Sequence, residues 1–381
     1  MAVRVTKPAF NLRQKINELD RPVGLRASEL LRSETVADAF NTIQAGRKNL
    51  IYNGTMQINQ RGNRSNATNS GWGGADRWNH FIGSCGSYNI TNSSTGVEHK
   101  GFARSLKFDC NGSDGTPAAG DYVGLQTKFE GYDAQRLRYG HASAVSLTLS
   151  LWVKSNKTGT IQVNFRSIAV SRMISRVITI DYADVWEFKT VTIPGDRHGT
   201  QLGNNNGEEF RVEMWFDAGS NFTSSSIKTD WGSYASAARA PECTLCLSDS
   251  TDNYLNITGV QLEEGSHATP FEFRPYQQEL ALCKRYFQKI LLKGIPSGGY
   301  SAGSGGYDNH LLGVAYPVEM RSNPTLTYDS VGNYQPGGGT GTPSTLYSHA
   351  QVLCIKTGST NSTWQPQVIN SNAYAYADAE L

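Results

Sequence analysis

"AVSLTLSLWVKS" occupies residues 144–155. Val145, Leu147, Leu149, Leu151 and Val153 alternate with Ser146, Thr148, Ser150, Trp152 and Lys154. A period of two puts the aliphatic set on one face of a strand and the hydroxylated set on the other. "TIQVNF" (160–165) repeats the pattern, and "FRVEMWF" (210–216) sets Phe210, Val212, Met214 and Phe216 against Arg211, Glu213 and Trp215. Two further segments change phase partway. "WEFKTVTI" (186–193) moves from Trp186 and Phe188 to Val191 and Ile193, and "YLNITGVQLEEG" (254–265) shifts at Gly259. A bulge explains either shift, and in the first a strand covered on both faces serves as well. Strands with one apolar face need a second sheet to cover it, so the expected core is an antiparallel β-sandwich of jelly-roll type.

Composition agrees with a mainly β chain. Only 18% of the 381 residues are charged, and 39 are glycine. The net charge of +2 excludes a general polyanion binder and gives no ground for nucleic-acid binding. Residues 1–48 carry nine Lys/Arg against five Asp/Glu, while the rest carry 26 against 28. No run is apolar or long enough to span a bilayer, and no signal-peptide core opens the chain, so no membrane insertion is expected and synthesis is placed in a cytoplasm. Cys243 and Cys246 form the one close pair of six cysteines, without the further ligands a zinc site needs; free thiols are expected. No cofactor is expected.

Helical spacing is confined to the two ends of this β body. Val36, Phe40 and Ile43 fall at i, i+4 and i+7, with Ser33 as a candidate N-cap and Gly46 as a stop. So short an amphipathic helix is marginal alone and must pack against its own β-domain, sister chains or another protein; docking or oligomerisation is the reading taken, with these three residues as the expected assembly interface. Between Arg61 and Lys100 no period survives, and long loops are expected. "RPYQQELALCKRYFQKILLKG" (274–294) reads as one helix with Leu280, Cys283, Phe287, Ile290 and Leu291 on its apolar stripe. The expected organisation is a helical arm (1–48), a sandwich (49–275), a connecting helix (276–294) and a small C-terminal β-domain (295–381).

Several stretches taken together resemble tail-fibre-like virion proteins of tailed bacteriophages. They are "NLIYNGTMQINQRG" (49–62), "DRWNHF" (76–81), "GDYVGLQTKFEGYDAQRLRYG" (120–140), "NITGVQLEEGSHATPFEFRPYQQELALCKRYFQK" (256–289), "VEMRSNPTLT" (318–327) and "ADAEL" (377–381). The middle section is also similar to carbohydrate-binding modules with a jelly-roll fold. The resemblance implies a non-enzymatic structural protein of the virion, commonly a homotrimer. On this reading residues 1–48 dock to other tail or capsid proteins, and the sandwich meets a host-surface glycan. A capsid decoration, cement or head-fibre protein is the nearest alternative, and a glycan depolymerase the alternative from another class.

Sugar recognition needs flat aromatic faces beside amides and carboxylates. Trp72, Trp78, Trp231 and Tyr234 lie in stretches read as loops, and Trp215 lies opposite the core stripe of its strand; these five are the candidate glycan contacts. The structural alternative for each is a ring folded back onto a sheet, above all for Trp78. Hydrolysis needs two facing carboxylates, and Asp217, Glu263 and Glu264 show no pairing in linear sequence. No triad context, HExxH or P-loop occurs. "DCNGSDG" (109–115) is rich in oxygen ligands but lacks EF-hand spacing, so no metal site is assigned.

Overall fold

The computed structural model describes residues 48–291, 296–299, 308–329, 334–335, 343–358, 367–369 and 374–381. The chain divides into two units, Met1–Lys48 and Asn49–Leu381. Val36, Phe40 and Ile43 lie outside the described residues.

Eleven strands build the sandwich: β1 (Arg64–Gly73), β2 (Ala75–Ser93), β3 (Ser105–Gly112), β4 (Tyr122–Glu130), β5 (Leu147–Ser155), β6 (Gly159–Ser167), β7 (Arg172–Ile180), β8 (Glu187–Ile193), β9 (Glu208–Ala218), β10 (Gly232–Ser233) and β11 (Tyr254–Glu264). All pair antiparallel, in the order β10-β7-β6-β9-β4-β2-β3-β11-β5-β8, with β1 also on β2. The long β2 belongs to both layers. Residues 79–84 pair with β4 and residues 87–93 with β3. The switch falls where Ser84 and Gly86 take positive φ (55° and 75°), a kink that turns the strand from one sheet into the other. Between the layers lies one apolar core, built from the alternating residues: Leu147, Leu149, Leu151 and Val153 of β5 face Phe210, Val212, Met214 and Phe216 of β9. The fold is an antiparallel β-sandwich of jelly-roll type.

The two phase shifts have different causes. In β11 the register slips between Thr258 and Gln261, with Gly259 at φ +59°, a true bulge. The freed backbone of Val260 is taken up by the segment that precedes β1: its N–H donates to Gly54 O, and Asn49 Nδ2 donates to Val260 O. A Cβ on Gly54 would stand 2.1 Å from Val260 O, so only glycine allows this approach. In β8 nothing slips; Phe188 pairs with Trp152 on the outer face while Val191 and Ile193 turn inward.

Two expectations are corrected. Residues 61–100 are not long loops: β1 and β2 form a hairpin there. The edge strand β1 buries little besides Ala67 and Gly73, while β2 is covered on both faces over Ala75–Ile82, so neither shows alternation. The connecting helix is also shorter than residues 276–294. Helix α3 (Tyr276–Lys284) follows two single-turn helices, α1 (Gly131–Ala134) and α2 (Ser220–Thr223), and Phe287–Leu291 is strand β12. Phe287 and Ile290 continue a helical spacing but pair instead with Asp378 and Ala375. The other C-terminal strands are β13 (Pro296–Gly299), β14 (Asp308–Ala315), β15 (Thr325–Tyr328), β16 (Tyr334–Gln335), β17 (Pro343–Ser348), β18 (Val352–Gly358), β19 (Gln367–Ile369) and β20 (Tyr374–Asp378). They form a three-stranded sheet, β12-β20-β15, and a second one, β16-β19-β13-β14-β18-β17.

Candidate functional site

The outer face of the β4–β9 sheet carries an unbroken polar row. Backbone pairing aligns Trp72, Asn79, Gln126, Glu213, Asn164 and Ser175 across β1, β2, β4, β9, β6 and β7. Paired residues share a face, so all six side chains lie on one side. The amides bond to one another. Gln126 Nε2 donates to Asn79 Oδ1 (2.7 Å), and Ser175 Oγ (2.7 Å) and Gln162 Nε2 (2.9 Å) donate to Asn164 Oδ1. At the centre Glu213 is fully buried and accepts from Arg166, Arg239, Arg211 and the Trp215 indole. Burial alone would push this carboxyl up, but Arg239, Arg166 and Arg211 together hold it down at about 2.

The residues from 219 to 243 lie over part of this row. Phe222 and Ala240 pack with Trp215 and Phe81, and the Arg239 guanidinium sits 4.3 Å above the Trp215 ring. Trp215 is therefore wholly buried, against the expectation of an exposed contact residue; the cover comes from distant chain and leaves no trace in the strand's own pattern. Trp78 is also wholly buried and donates from Nε1 to Asn53 O, which corrects its place among the contacts. Trp231 is half-buried, bonded to Pro194 O and packed edge-on against Tyr139. Trp72 and Tyr234 remain half-buried, with Arg61 over the Trp72 ring and Arg166 over Tyr234. They stand at opposite ends of the polar row, Trp72 on β1 and Tyr234 just after β10. With its amides and carboxylate already satisfied, the row is a structural seam with aromatic ends.

The opposite sheet presents a different surface. On its outer face Phe188 of β8 packs at a tilt beside Trp152 of β5, 5.3 Å between centroids, and Phe188 is 48% exposed. Gly259 follows on β11; a Cβ there would meet Phe102 at 2.8 Å and Trp152 at 3.0 Å, so the bulge glycine lets two rings close over the backbone. Phe102 in turn packs against Phe271 and Phe273, and Phe273 is 52% exposed. His99 meets the Trp152 ring edge-on, and Thr190 offers an exposed hydroxyl beside Phe188. Two acids near Phe188 are occupied. Glu187 accepts from the Asp181 and Tyr182 amides and pairs with Lys189, which also holds Asp181. The sequence held the signal for this surface: Trp152 falls on the polar phase of β5, and Phe188 falls out of phase with Val191 and Ile193.

Among the described residues no group of three or more His, Cys, Asp or Glu converges as a metal site requires. Asp109 of the oxygen-rich 109–115 stretch pairs with Lys107. No described helix is long and apolar enough to cross a membrane.

No family model matches the chain, and no curated protein sequence matches it. Among solved structures, the bacteriophage CBA120 tailspike protein 4 enzymatically active domain matches 57% of this chain over 21% of its own, at 11% identity and TM-score 0.31. A putative sugar binding protein from Bacteroides thetaiotaomicron matches 57% of this chain over 100% of its own, at 12% identity and TM-score 0.31. The family 11 carbohydrate-binding module from Clostridium thermocellum, solved with a β-1,3-1,4-mixed-linked tetrasaccharide, matches 54% over 98%, at 12% identity and TM-score 0.26.

Proposed function

We propose that the chain is a non-enzymatic attachment protein of a bacteriophage virion, tail-fibre-like, docked through residues 1–48 and binding a host-surface glycan with its sandwich. The observation that carries the glycan part is the aromatic strip made by exposed Phe188 and half-buried Trp152 on the outer face of β8 and β5, extended through buried Phe102 to exposed Phe273 in the segment before α3. Flat rings take the apolar face of a pyranose, and Thr190 and His99 supply hydrogen-bonding groups at the edge. Binding is favoured over hydrolysis because Glu187 and Asp181, the acids beside Phe188, are tied to Lys189 and to backbone amides. A hydrolase needs one carboxyl free to hold a proton.

The test is adsorption of the purified chain to envelope polysaccharide of a bacterial host. Trp152→Ala and Phe188→Ala should each weaken binding at least about tenfold, whereas Trp78→Ala should act through stability. Unchanged binding in both strip variants would remove the strip from the reading. New reducing ends released with sustained turnover would replace it with a depolymerase.

The virion part rests on the sequence resemblance and on the separation of residues 49–381 as a unit of their own. Deleting residues 1–48 should leave a folded β body that no longer joins the particle, scored by circular dichroism and by its presence in purified virions. Normal incorporation of the truncated chain would mean that the anchor lies elsewhere.

A further inference from the structure

The strand "YAYAD" (β20, Tyr374–Asp378) reverses the usual division between core and solvent. Ala375 and Ala377 point inward, where Tyr316 and Met320 cover them and Ile290 and Leu326 pack beside them. Tyr374 and Tyr376 stand on the other face, and both are half-buried. An antiparallel sheet with one packed face ordinarily turns polar residues to water on the other. Here the register sets Lys289, Tyr376 and Thr327 in one row across β12, β20 and β15, with Leu291 opposite Tyr374 in the next. Lys289, Leu291 and Thr327 are exposed, so the two largest side chains of β20 lie among accessible neighbours, away from the core.

This face is ordered by its own contacts. The Tyr376 hydroxyl donates to Asp329 Oδ1 (2.8 Å), and the Tyr374 backbone N–H donates to Asp329 Oδ2 (3.2 Å). The two phenol rings lie 6.5 Å apart at a tilt of 40°, and the Phe287 ring stacks beside Tyr376 from the adjoining row, 6.3 Å away. The Lys289 ammonium is placed over the same rings, 4.2 Å from the centre of Tyr374 and 5.6 Å from that of Tyr376. It has no carboxylate partner among the described residues, and its N–H groups are donors on a flexible stem.

Size decides what such a face can hold. Strands of five, five and four residues turn about half of their side chains outward. A stable protein interface takes roughly 20–30 residues a side, so a second copy of the chain finds too little here. A sugar needs less: a ring beneath the apolar side of a pyranose and a few polar groups for its hydroxyls. We infer that the outer face of the small sheet is a second carbohydrate contact, with Tyr374 and Tyr376 as the stacking rings and Lys289 and Thr327 bonding sugar hydroxyls. It is a separate site and does not depend on the aromatic strip.

The test is affinity electrophoresis of the full chain through gels cast with envelope polysaccharide of a bacterial host. Phe188→Ala, which disables the strip, should leave residual retardation. Adding Tyr374→Ala and Tyr376→Ala should lower the remaining affinity at least about tenfold. Lys289→Ala on the same Phe188→Ala background should lower it severalfold with the melting temperature unchanged, a readout that stands even if the double tyrosine variant fails to fold. Retardation abolished by Phe188→Ala alone, or unaltered by the tyrosine and lysine changes, overturns the inference and leaves the strip in place. A Tyr374→Ala/Tyr376→Ala chain that sediments as a smaller species than the wild type also overturns it, by making the face a contact between copies. A wild-type chain that is not retarded at all removes both sites.

Discussion

Replacing Glu213 by glutamine should lower the free energy of unfolding by about 3–5 kcal/mol, the range for removing one partner of a buried ion pair. The reason is the company the carboxylate keeps. Arg166 approaches Oε1 at 2.5 Å, Arg239 approaches Oε2 at 3.1 Å and Arg211 lies at 3.4 Å. Arg211 has a second anion in Glu208, but Arg166 and Arg239 pair with Glu213 alone among the described residues. Without its charge, three guanidiniums are left together under a protein cover. Acid should have the same effect on the wild type. A depressed carboxyl contributes stability that is complete above its unfolded value, 4.5, and is lost as pH falls through its folded value near 2. At about 1.4 kcal/mol per tenfold change in proton affinity, the loss over that window is roughly 3 kcal/mol. Urea unfolding at pH 7 and along a series from pH 5 to pH 2 measures both. Glu213→Gln should be weaker at pH 7 and lack this part of the acid decline. Because Arg239 holds its own segment onto the sheet, amides of residues 232–245 should also exchange faster. Equal stability of variant and wild type at pH 7 would mean the cluster is solvated and contributes nothing.

The same residues show where sequence reasoning stops. In β5 the alternation placed Leu147, Leu149, Leu151 and Val153 in the core, because each strand faces a single apolar layer and its period records that layer. In β9 it placed Phe210 to Phe216 equally well. It failed on Trp215, because what buries that ring is Phe222 and Arg239, and contacts across a chain reversal do not alter local periodicity. The β1–β2 hairpin escaped notice for two opposite reasons: β1 is mostly solvated and β2 is covered on both sides, and each condition erases alternation. The aromatic strip was half legible. The Phe188 phase change needed no bulge, only a second surface on which an aromatic residue is useful.

Glu380→Gln should be the second large loss, about 3–5 kcal/mol by the same physics, but it should show in a different part of the molecule. Arg77 is wholly enclosed: its guanidinium lies 3.4 Å above the Tyr286 ring, Nη2 donates to Lys128 O at 2.6 Å and Nη1 donates to Glu380. Arg61, stacked on Phe287 at 3.7 Å, bonds both Glu380 (3.1 Å) and Asp378 (2.9 Å). Two sandwich arginines thus clasp the end of β20 and, through the β12–β20 pairing, the strand that follows α3. In the variant Arg61 keeps Asp378, whereas Arg77 keeps its charge and has nowhere to place it. The strain should be relieved first by releasing the small sheet, so amides of Tyr374–Asp378 and Phe287–Leu291 should lose exchange protection before those of β5 or β9 do. Combining Glu380→Leu with Arg77→Met, which removes both charges and keeps apolar volume, should recover much of the loss, and the cycle should give a coupling above 1 kcal/mol. A Glu380→Gln loss below about 1 kcal/mol, the level of an exposed pair, would mean that solvent reaches Arg77 and that the small sheet is held by its apolar contacts, Ala375 and Ala377 against Tyr316 and Met320.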